Sequence, residues 1–415
     1  METDRAGGLK KISTNYDIDN SLFKKIKNVY KIFNSVAKNR KELIFGYSGG
    51  KDSTLLLLLF YRWLKENNPF HRRYSITLLH NDTLGEINPM ELWARSFMKE
   101  IAGRIRNVGH EVEVVVTVPP AVDTFYWRVL VRGYPAPSYS FRWCVNLLKL
   151  KPTKKSLNEI QNVKKNPILL LGSREDESIS RQRSLNKRYG GCPMGPGKCH
   201  AYYFSTETNG ISKAAPIRDW TNADVWSYLR SCEDANISNL LFLYGCEEAR
   251  YGCWHCTLIK TQWGFKVLPE NYQYFDAVRL IYRMVSDIPS LRIRKNTGYS
   301  TRGALTAVPR SLLLHLFQAA EEKSGVRLYG LDESRVSDGY SLRQIFYELD
   351  AEKAMEIILK EDKHIDRRRL IDISILRDLK LHSKKIQWLV GKLDKHPYSN
   401  RYTKELLDSV LEKTV

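Results

Sequence analysis

Residues 43–59 read LIFGYSGGKDSTLLLLL: an apolar run, a glycine pair and a longer apolar run. This order predicts a buried strand that ends in a glycine turn, with a helix beginning directly after it. The first N–H groups of such a helix have no partner within it, and together with the helix dipole they favour an anion. Gly49 and Gly50 would let the backbone approach a phosphate without a Cβ atom in between. We therefore predict a phosphate-binding turn, called here the phosphate turn, at residues 48–53.

The phosphate turn does not follow the Walker A spacing, because Lys51 comes directly after Gly50. An ordinary glycine turn is the alternative to a phosphate site. As a phosphate site, the turn would bind through Ser48, Gly49, Gly50 and Ser53, and Lys51 would add a positive charge. Asp52 or Asp82 would hold Mg²⁺, a hard cation that prefers oxygen ligands.

The composition favours a polyanionic partner. Lys and Arg number 66 against 46 Asp and Glu, which gives a net charge of +20. A basic surface that binds no nucleic acid is the alternative. The longest apolar run, residues 55–61, is too short to cross a membrane, and the charged N-terminus lacks the apolar segment of a signal peptide. We therefore expect a cytoplasmic protein with no membrane partner.

Strand-like and helix-like segments alternate after the phosphate turn. Residues 74–80, 111–118 and 167–172 have strand character, and a helix is expected from about Pro89 to Gly109. This alternation predicts an α/β fold with a doubly wound, mostly parallel sheet, which binds ligands at the carboxyl ends of its strands. The predicted divisions are a leading helical segment (1–40), a nucleotide-binding domain (41–240), a cysteine-rich region (241–270) and a helical, basic C-terminal domain (271–415).

Within the C-terminal domain, apolar residues at helical spacing predict helices over 312–320, 342–359 and 369–393. Thr221 is predicted to cap a helix, with Asp224 completing a capping box. Basic residues crowd two places, and we interpret them as a candidate nucleic-acid track, with a solvated surface as the alternative. They are Arg292, Arg294, Lys295 and Arg302, then Arg367, Arg368, Arg369, Lys384 and Lys385.

Polar residues follow the strand at 167–172 directly. Arg174 and Arg181 would clamp phosphate oxygens there, and Glu175 and Ser178 accompany them; a surface salt-bridge cluster is the alternative.

Cys144 lies among Arg142, Lys149 and Lys151. Nearby cations lower the pKa of a thiol, so Cys144 is predicted to accept or pass on sulfur, unless it is a buried structural cysteine.

Three clustered cysteines predict a metal site. Cys253 and Cys256 form a C-x-x-C pair, the basic unit of zinc and iron–sulfur sites, and Cys246 precedes them. Cys192 or Cys199 would supply a fourth ligand in preference to Cys232 or Cys144. A reduced structural pair or a zinc knuckle is the alternative, and iron–sulfur is favoured over zinc.

Six segments in this order resemble the DndC-type sulfurtransferases of DNA phosphorothioation and their single-strand-system relatives. These are phosphoadenosine phosphosulfate (PAPS) reductase-like members of the PP-loop ATP pyrophosphatase superfamily, whose fold resembles that of the adenine nucleotide alpha hydrolases. The segments are SGGKDST (48–54), NDTLGE (81–86), RWCVNLLKLKP (142–152), GSREDESISR (172–181), DWTNADVWSYL (219–229) and RYGCWHCT (250–257).

This resemblance implies conversion of ATP to AMP and pyrophosphate, coupled to sulfur incorporation into the DNA backbone. It also implies Mg²⁺, a [4Fe–4S] cluster, a cysteine desulfurase as sulfur donor and further subunits of a DNA-modifying defence complex. Lys51, Asp52, Cys144, Arg174 and Arg181 become candidate catalytic residues. Asp82, Glu86, Glu175 and Ser178 join the phosphate turn as candidate nucleotide ligands. The chain departs from the family in one respect: residues 257–265 contain no further cysteine.

Three other functions remain open. A PAPS reductase-like oxidoreductase would need the Glu-Cys-Gly-x-His nucleophile of those enzymes, and no cysteine follows Cys256. An ATP-dependent tRNA thiolase would account equally well for ATP, a cluster and a basic surface. A non-catalytic DNA-binding subunit is the third alternative.

Overall fold

The structure is a computed structural model that describes residues 20–66, 68, 71–86, 88–190, 200–205, 210–247, 249, 251–293, 303–366 and 369–414. Its centre is a six-stranded sheet in the order β3-β2-β1-β4-β6-β5. All neighbouring strands run parallel except β5, which pairs antiparallel with β6 at one edge. The strands are β1 (Glu42–Tyr47), β2 (Ser75–Asn81), β3 (Glu111–Thr117), β4 (Ile168–Leu171), β5 (Phe204–Ser205) and β6 (Ser212–Ala214).

The strand order reverses at β1, and this reversal positions the site. The chain first builds outward from β1 to β2 and β3, then crosses back to place β4 on the other side of β1. Phe45 of β1 is therefore paired with Leu78 on one side and with Leu170 on the other. Connections that leave neighbouring strands in opposite directions open a crevice between the strand ends, which is where such sheets bind ligands. The predicted doubly wound, mostly parallel sheet is confirmed.

Helices cover both faces of the sheet. One face packs against helices that form a large apolar core with β1 and β2. The other face has a small core in which Ile160 packs with Ile44 and Leu79. The helices before residue 245 are α1 (Asn20–Asn39), α2 (Lys51–Glu66), α3 (Asn88–Asn107), α4 (Phe125–Leu130), α5 (Lys151–Val163), α6 (Ile179–Tyr189), α7 (Asn222–Arg230) and α8 (Ala235–Tyr244).

The C-terminal region is helical, as predicted, and forms its own core. This core also takes up α4 and Trp254, which come from earlier in the chain. Among the described residues, no helix combines the length and apolar character needed to cross a bilayer. The helices of this region are α9 (Gly264–Val267), α10 (Gln273–Asp287), α11 (Ala307–Ser324), α12 (Tyr329–Glu333), α13 (Ala351–Glu361), α14 (Ile373–Arg377), α15 (Ser383–Asp394) and α16 (Arg401–Glu412).

Two of the predicted C-terminal helices are wrong in length. The segment 342–359 is a π-helical turn (Gln344–Glu348) followed by α13, because the side chain of Asp350 accepts the Lys353 N–H and begins a new helix. The segment 369–393 divides into α14 and α15 around a 3₁₀ turn (Lys380–His382). The capping box of Thr221 and Asp224 at the start of α7 is confirmed.

Candidate active site

A cleft of about 670 Å³ opens at the strand reversal. The phosphate turn, the residues after β4 and the end of α8 form its walls. The described residues that line it include Ser48, Gly50, Lys51, Asp52, Ser53, Glu86, Glu91, Lys149, Gly172, Arg174, Asp176, Glu177, Arg181, Tyr244, Glu247 and Gly252. The cleft therefore brings together residues that lie up to about two hundred positions apart in the chain, as expected for the carboxyl ends of parallel strands.

Ser53 holds the phosphate turn closed. Its hydroxyl donates to the Gly50 carbonyl at 3.0 Å, accepts the Ser48 N–H at 3.2 Å and lies 3.1 Å from the Ser48 hydroxyl. Gly49 has a φ of +74°, and a Cβ atom there would lie 2.7 Å from the Cβ of Ala94. Only glycine satisfies both the left-handed backbone and the close approach of α3. The turn therefore has a fixed backbone, in which the N–H groups of Ser48 and Gly50 donate to side chains of the turn itself, and phosphate binding stays a prediction.

Lys51 begins α2 and is nearly buried. Its N–H donates to the Tyr244 hydroxyl at 3.2 Å, which satisfies one of the first N–H groups of the helix. Its ammonium group lies 3.7 Å from Asp52 Oδ2, and 5.7 and 5.9 Å from the ring centroids of Tyr244 and Trp226. The rings of Tyr244 and Trp226 restrict the Lys51 side chain to a position along the cleft.

Arg174 links the end of β4 to the phosphate turn. Its Nε donates to Asp52 Oδ1 at 2.7 Å, and its Nη1 donates to the Trp220 carbonyl at 3.2 Å. Only 1% of Arg174 is exposed, so its guanidinium group is held by these contacts. Arg181 lies on the outer wall, where it is half exposed and donates to Glu177 at 3.1 Å. The two arginines thus line the same cleft, one fixed and one open to solvent.

Asp82 does not line the cleft. It is fully buried, and its carboxylate accepts hydrogen bonds from Arg95, the Leu84 N–H and the Tyr329 hydroxyl. Because these donors already use both oxygens, the arrangement does not leave Asp82 open as a Mg²⁺ ligand. Glu86, four residues on, does line the cleft and lies 3.8 Å from the ammonium of Lys149.

Glu175 and Ser178 lie outside the cleft as well. They line a neighbouring pocket of about 450 Å³. Glu175 accepts a hydrogen bond from the buried Arg218 at 2.8 Å, and the Ser178 hydroxyl caps α6 by accepting the Arg181 N–H at 3.1 Å. Both residues therefore have structural partners, and neither contacts the cleft in which a nucleotide phosphate would lie.

Cys144 lies near Cys256, whereas the sequence favoured Cys246 as the neighbour of the paired cysteines. Cys144 lies close enough to Cys256 for the charge of one thiolate to act on the other. Lys149, on the π-helical turn Val145–Leu150, has a raised pKa because of Cys253 first, and also because of Glu86, Cys256 and Cys144. Cys253 donates to Glu86 at 3.6 Å. Lys149 and Glu86, which both line the cleft, thus connect it to the thiols.

The expectation of a lowered pKa at Cys144 is wrong. Burial raises the pKa of the Cys144 thiol, and the opposing effect of Lys149 is smaller. Burial and the Glu86 carboxylate likewise raise the pKa of Cys253 above its usual range. Both groups are therefore thiols rather than thiolates near neutral pH.

His255, between the paired cysteines, is a neutral structural side chain. Its ring stacks on Phe125 with centroids 3.7 Å apart, and only 2% of it is exposed. Burial, and then the charge of Lys149, lowers the pKa of His255 to about 3. A Cβ atom at Gly85 would lie 2.4 Å from its Nε2, so the loop after β2 packs directly against it.

The described donors do not fit a closed metal site. No three His, Cys, Asp or Glu side chains in the described part of the chain converge in a way that could hold a metal ion. The predicted set of Cys246, Cys253 and Cys256 is therefore not brought together, and Cys246 packs instead against the core of the sheet. Cys192 and Cys199 lie outside the described residues.

The predicted basic track is only partly described. Arg292 is buried and donates to the carbonyls of Gly303 and Ser286, so it is not available to nucleic acid. Lys384 and Lys385 are exposed on α15, and Arg369 lies 3.3 Å from Asp366. Arg294, Lys295, Arg302, Arg367 and Arg368 fall outside the described residues.

His80 forms a buried pair with Glu91, a residue that lines the cleft, and its Nε2 lies 3.1 Å from Oε1 of Glu91. Burial alone would lower the pKa of His80, but Glu91 outweighs it and raises the pKa above 6.5. A histidine whose pKa is higher in the folded than in the unfolded chain stabilises the fold when it is protonated. This stabilisation is complete below the unfolded-state pKa and is lost as pH rises through the folded-state pKa. We expect the stability advantage of wild type over His80→Gln to shrink as pH rises from the ordinary histidine pKa of about 6.5 through the higher folded-state value. Urea unfolding of both proteins across this range tests it, and parallel pH profiles would contradict it.

The sheet reversal, the glycine turn and the polar cleft together define an α/β nucleotide-binding fold of the PP-loop type. The chain belongs to the phosphoadenosine phosphosulfate reductase domain family, whose sequence pattern matches residues 42–259. That match includes every cleft residue named above and ends just after Cys256. The class of protein is thus that of the phosphoadenosine phosphosulfate reductase-like PP-loop domains.

The chain is 27% identical over 244 residues to an uncharacterised protein of Methanocaldococcus jannaschii, covering 58% of this chain and 48% of the relative. It is 23% identical over 154 residues to the adenosine 5′-phosphosulfate reductase of Burkholderia cepacia, and the match covers 37% of this chain and 47% of that reductase. The chain thus spans about half the length of these curated relatives. Among solved structures it is similar to the U34-tRNA thiolase NcsA of Methanococcus maripaludis with its [4Fe–4S] cluster. That similarity has 13% identity and a TM-score of 0.30, and it covers 71% of this chain and 88% of that one.

Proposed function

We propose that this protein is an ATP pyrophosphatase that activates a phosphate oxygen of the DNA backbone for replacement by sulfur. The observation that supports the proposal is that two residues, Lys149 and Glu86, lie next to both the cleft and the thiols. Lys149 and Glu86 line the cleft that contains the phosphate turn. The same two residues change the pKa of the Cys253 thiol, which the charge of Glu86 raises and that of Lys149 lowers. A phosphate site and a sulfur-bearing site that share residues suit a reaction in which ATP activates an acceptor of sulfur.

In the first proposed step, a non-bridging oxygen of a DNA phosphodiester attacks the α-phosphorus of ATP. The bond between the α-phosphorus and the oxygen of the β-phosphate breaks, and pyrophosphate leaves. The product is an adenylylated phosphotriester. The phosphate turn would hold the departing pyrophosphate, and Lys51 with Arg174 would stabilise its developing charge.

In the second step, hydrosulfide attacks the phosphorus of the DNA backbone. The bond from that phosphorus to the AMP oxygen breaks, AMP leaves, and one proton is released. A phosphorothioate diester results. A cysteine desulfurase acting with a thiol reductant is the proposed source of the hydrosulfide, and further subunits of a DNA-modifying complex are proposed partners.

Mg²⁺ suits this cleft. Six of its described lining residues are acidic (Asp52, Glu86, Glu91, Asp176, Glu177 and Glu247), and four are basic (Lys51, Lys149, Arg174 and Arg181). A nucleoside triphosphate therefore needs an added cation, and protein sites for Mg²⁺ commonly contribute only one or two carboxylates beside the phosphates. Asp52 and Glu86 would hold the ion, which would neutralise phosphate charge. No iron–sulfur cluster enters the proposed steps, because the described donors do not complete a site for one.

Mass spectrometry of nuclease-digested DNA tests this function. Cells that contain the wild-type protein and its partners are expected to yield phosphorothioate-linked dinucleotides, and cells with Asp52→Ala are expected to yield none. Thiolated tRNA bases with unmodified DNA would instead support a tRNA thiolase. Undiminished DNA modification with Asp52→Ala would indicate a non-catalytic subunit.

A further inference from the structure

Four consecutive residues project from the surface beside the thiols. In this segment, called the aromatic turn and comprising Tyr139, Ser140, Phe141 and Arg142, all four residues are exposed. Tyr139 is 78% exposed and Phe141 46% exposed. Large aromatic side chains are normally buried because each removes much apolar area from water. Two neighbouring exposed rings therefore suggest a surface that another molecule covers.

The aromatic turn is fixed in place. Ser138 and Phe141 exchange backbone hydrogen bonds of 3.3 and 3.0 Å across the turn. The ring of Phe141 packs against that of Tyr134, with centroids 6.1 Å apart, and the indole of Trp143 donates to the Pro135 carbonyl at 3.0 Å. A ligand that covers the rings would therefore not need to order the turn first, which lowers the entropic cost of binding.

The charge beside these rings is positive. The guanidinium group of Arg142 lies 5.2 Å from the ring centroid of Tyr139. No carboxylate among the described residues forms a salt bridge with Arg142. A planar aromatic face next to a free guanidinium group matches a nucleotide, because the base can stack on the ring while the arginine contacts its phosphate.

The aromatic turn adjoins the candidate active site. The hydroxyl of Thr257, the residue after Cys256, donates to the Pro137 carbonyl at 3.0 Å. The chain leaves the turn through Trp143 and Cys144 and reaches Lys149, which lines the cleft. Six residues beyond Thr257, Trp263 is also exposed, and the ammonium of Lys266 lies 4.4 Å from its ring centroid. Two aromatic groups with adjacent cations thus flank the loop of the paired cysteines.

We infer that the aromatic turn binds single-stranded DNA by stacking a base on Tyr139 and pairing a backbone phosphate with Arg142. The choice of DNA rests on the proposed function, whereas the preference for a single strand rests on the exposed rings. Bases within a duplex are already stacked and cannot offer both faces to a side chain. The rings also alternate with a serine and an arginine, which suits a nucleotide strand better than the apolar core of a protein interface.

Fluorescence anisotropy with a labelled oligothymidylate, and with the same strand in a duplex, tests the inference on the full chain. Tyr139→Ala is expected to weaken single-strand binding by about 5-fold to 150-fold, since stacking on one aromatic contributes about 1–3 kcal/mol per base. Tyr139→Phe is expected to bind like wild type, because the ring face and not the hydroxyl is used. Phe23→Ala is the matched control: Phe23 is 36% exposed on α1, and the ammonium of Lys27 lies 4.4 Å from its ring centroid.

The result is independent of catalysis. If Tyr139→Ala binds the single strand as tightly as wild type, or if Phe23→Ala weakens binding equally, the inference is wrong. Tighter binding of the duplex than of the single strand would also overturn it. If the protein forms no pyrophosphate from ATP but Tyr139→Ala still loses single-strand binding, the proposed function fails and the binding surface stands.

Discussion

Gly172→Ala is expected to lower the rate of pyrophosphate formation from ATP by about 100-fold, because a displacement of about 1 Å at a catalytic group costs this much. Gly172 follows β4 and lies against the phosphate turn. A Cβ atom there would be 2.8 Å from both the carbonyl carbon and the carbonyl oxygen of Asp52, and 2.9 Å from the Ser53 nitrogen. These are backbone atoms, so the start of α2 must move to admit the methyl group. We also expect a loss of unfolding free energy of about 1–3 kcal/mol, as for other overpacked positions.

Gly252→Ala is the matched control for this change. Gly252 lines the same cleft, but no described atom lies within 4 Å of the position its Cβ would take. Steady-state pyrophosphate release and urea unfolding are measured for both variants. Equal effects of the two substitutions, or an unchanged rate with Gly172→Ala, would show that the phosphate turn does not depend on its contact with the end of β4.

Lys51→Met is expected to reduce pyrophosphate release by about 100-fold to 1,000-fold, the usual effect of removing one group that stabilises transition-state charge. Lys51 is 8% exposed, lies between the rings of Tyr244 and Trp226, and begins the helix behind the phosphate turn. Methionine has a similar length and keeps the aromatic contacts, so the fold should be retained. The change removes the charge and little else.

Lys65→Met, at the other end of the same helix, is the control for Lys51→Met. Lys65 is exposed in the last turn of α2, far from the cleft along the helix axis, and its replacement should leave the rate unchanged. The affinity for ATP and the rate are measured separately. A Lys51→Met variant with the wild-type rate and weaker ATP binding would assign Lys51 to ground-state binding alone.

The phosphate turn and its flanking elements are predictable from sequence because the interactions that form them are local. An apolar run makes β1, the glycine pair supplies the positive φ at Gly49, and Ser53 bonds back to Gly50 three residues earlier. The position of Arg174 in the cleft also follows from sequence, because a residue just after a buried strand lies at the strand's carboxyl end.

The surroundings of Asp82 and of the cysteines are not predictable in this way. The carboxylate of Asp82 accepts a hydrogen bond from the hydroxyl of Tyr329, which lies 247 residues later on α12. No local sequence pattern indicates this pair. Cys144 lies near Cys256, because the neighbouring residues Trp143 and Trp254 belong to one apolar core although they lie far apart in the chain. Spacing along the chain favoured Cys246, but the fold decides which thiols are neighbours.

The divided C-terminal helices did carry a signal in the sequence. Asp350 and Asp372 each accept an N–H group from the first turn of the following helix. Aspartate is a preferred N-cap residue, so its occurrence before a helical pattern indicates a new helix. Apolar periodicity continued across both breaks and concealed them.

Product analysis with ATP labelled separately at the α- and γ-phosphates tests whether the protein cleaves ATP between its α- and β-phosphates. The purified protein is incubated with Mg²⁺, DNA and sulfide, and the products are separated by chromatography. We expect labelled AMP and labelled pyrophosphate in equal amounts, with both lost in Lys51→Met and retained in Lys65→Met. Labelled ADP and inorganic phosphate as the products would contradict it.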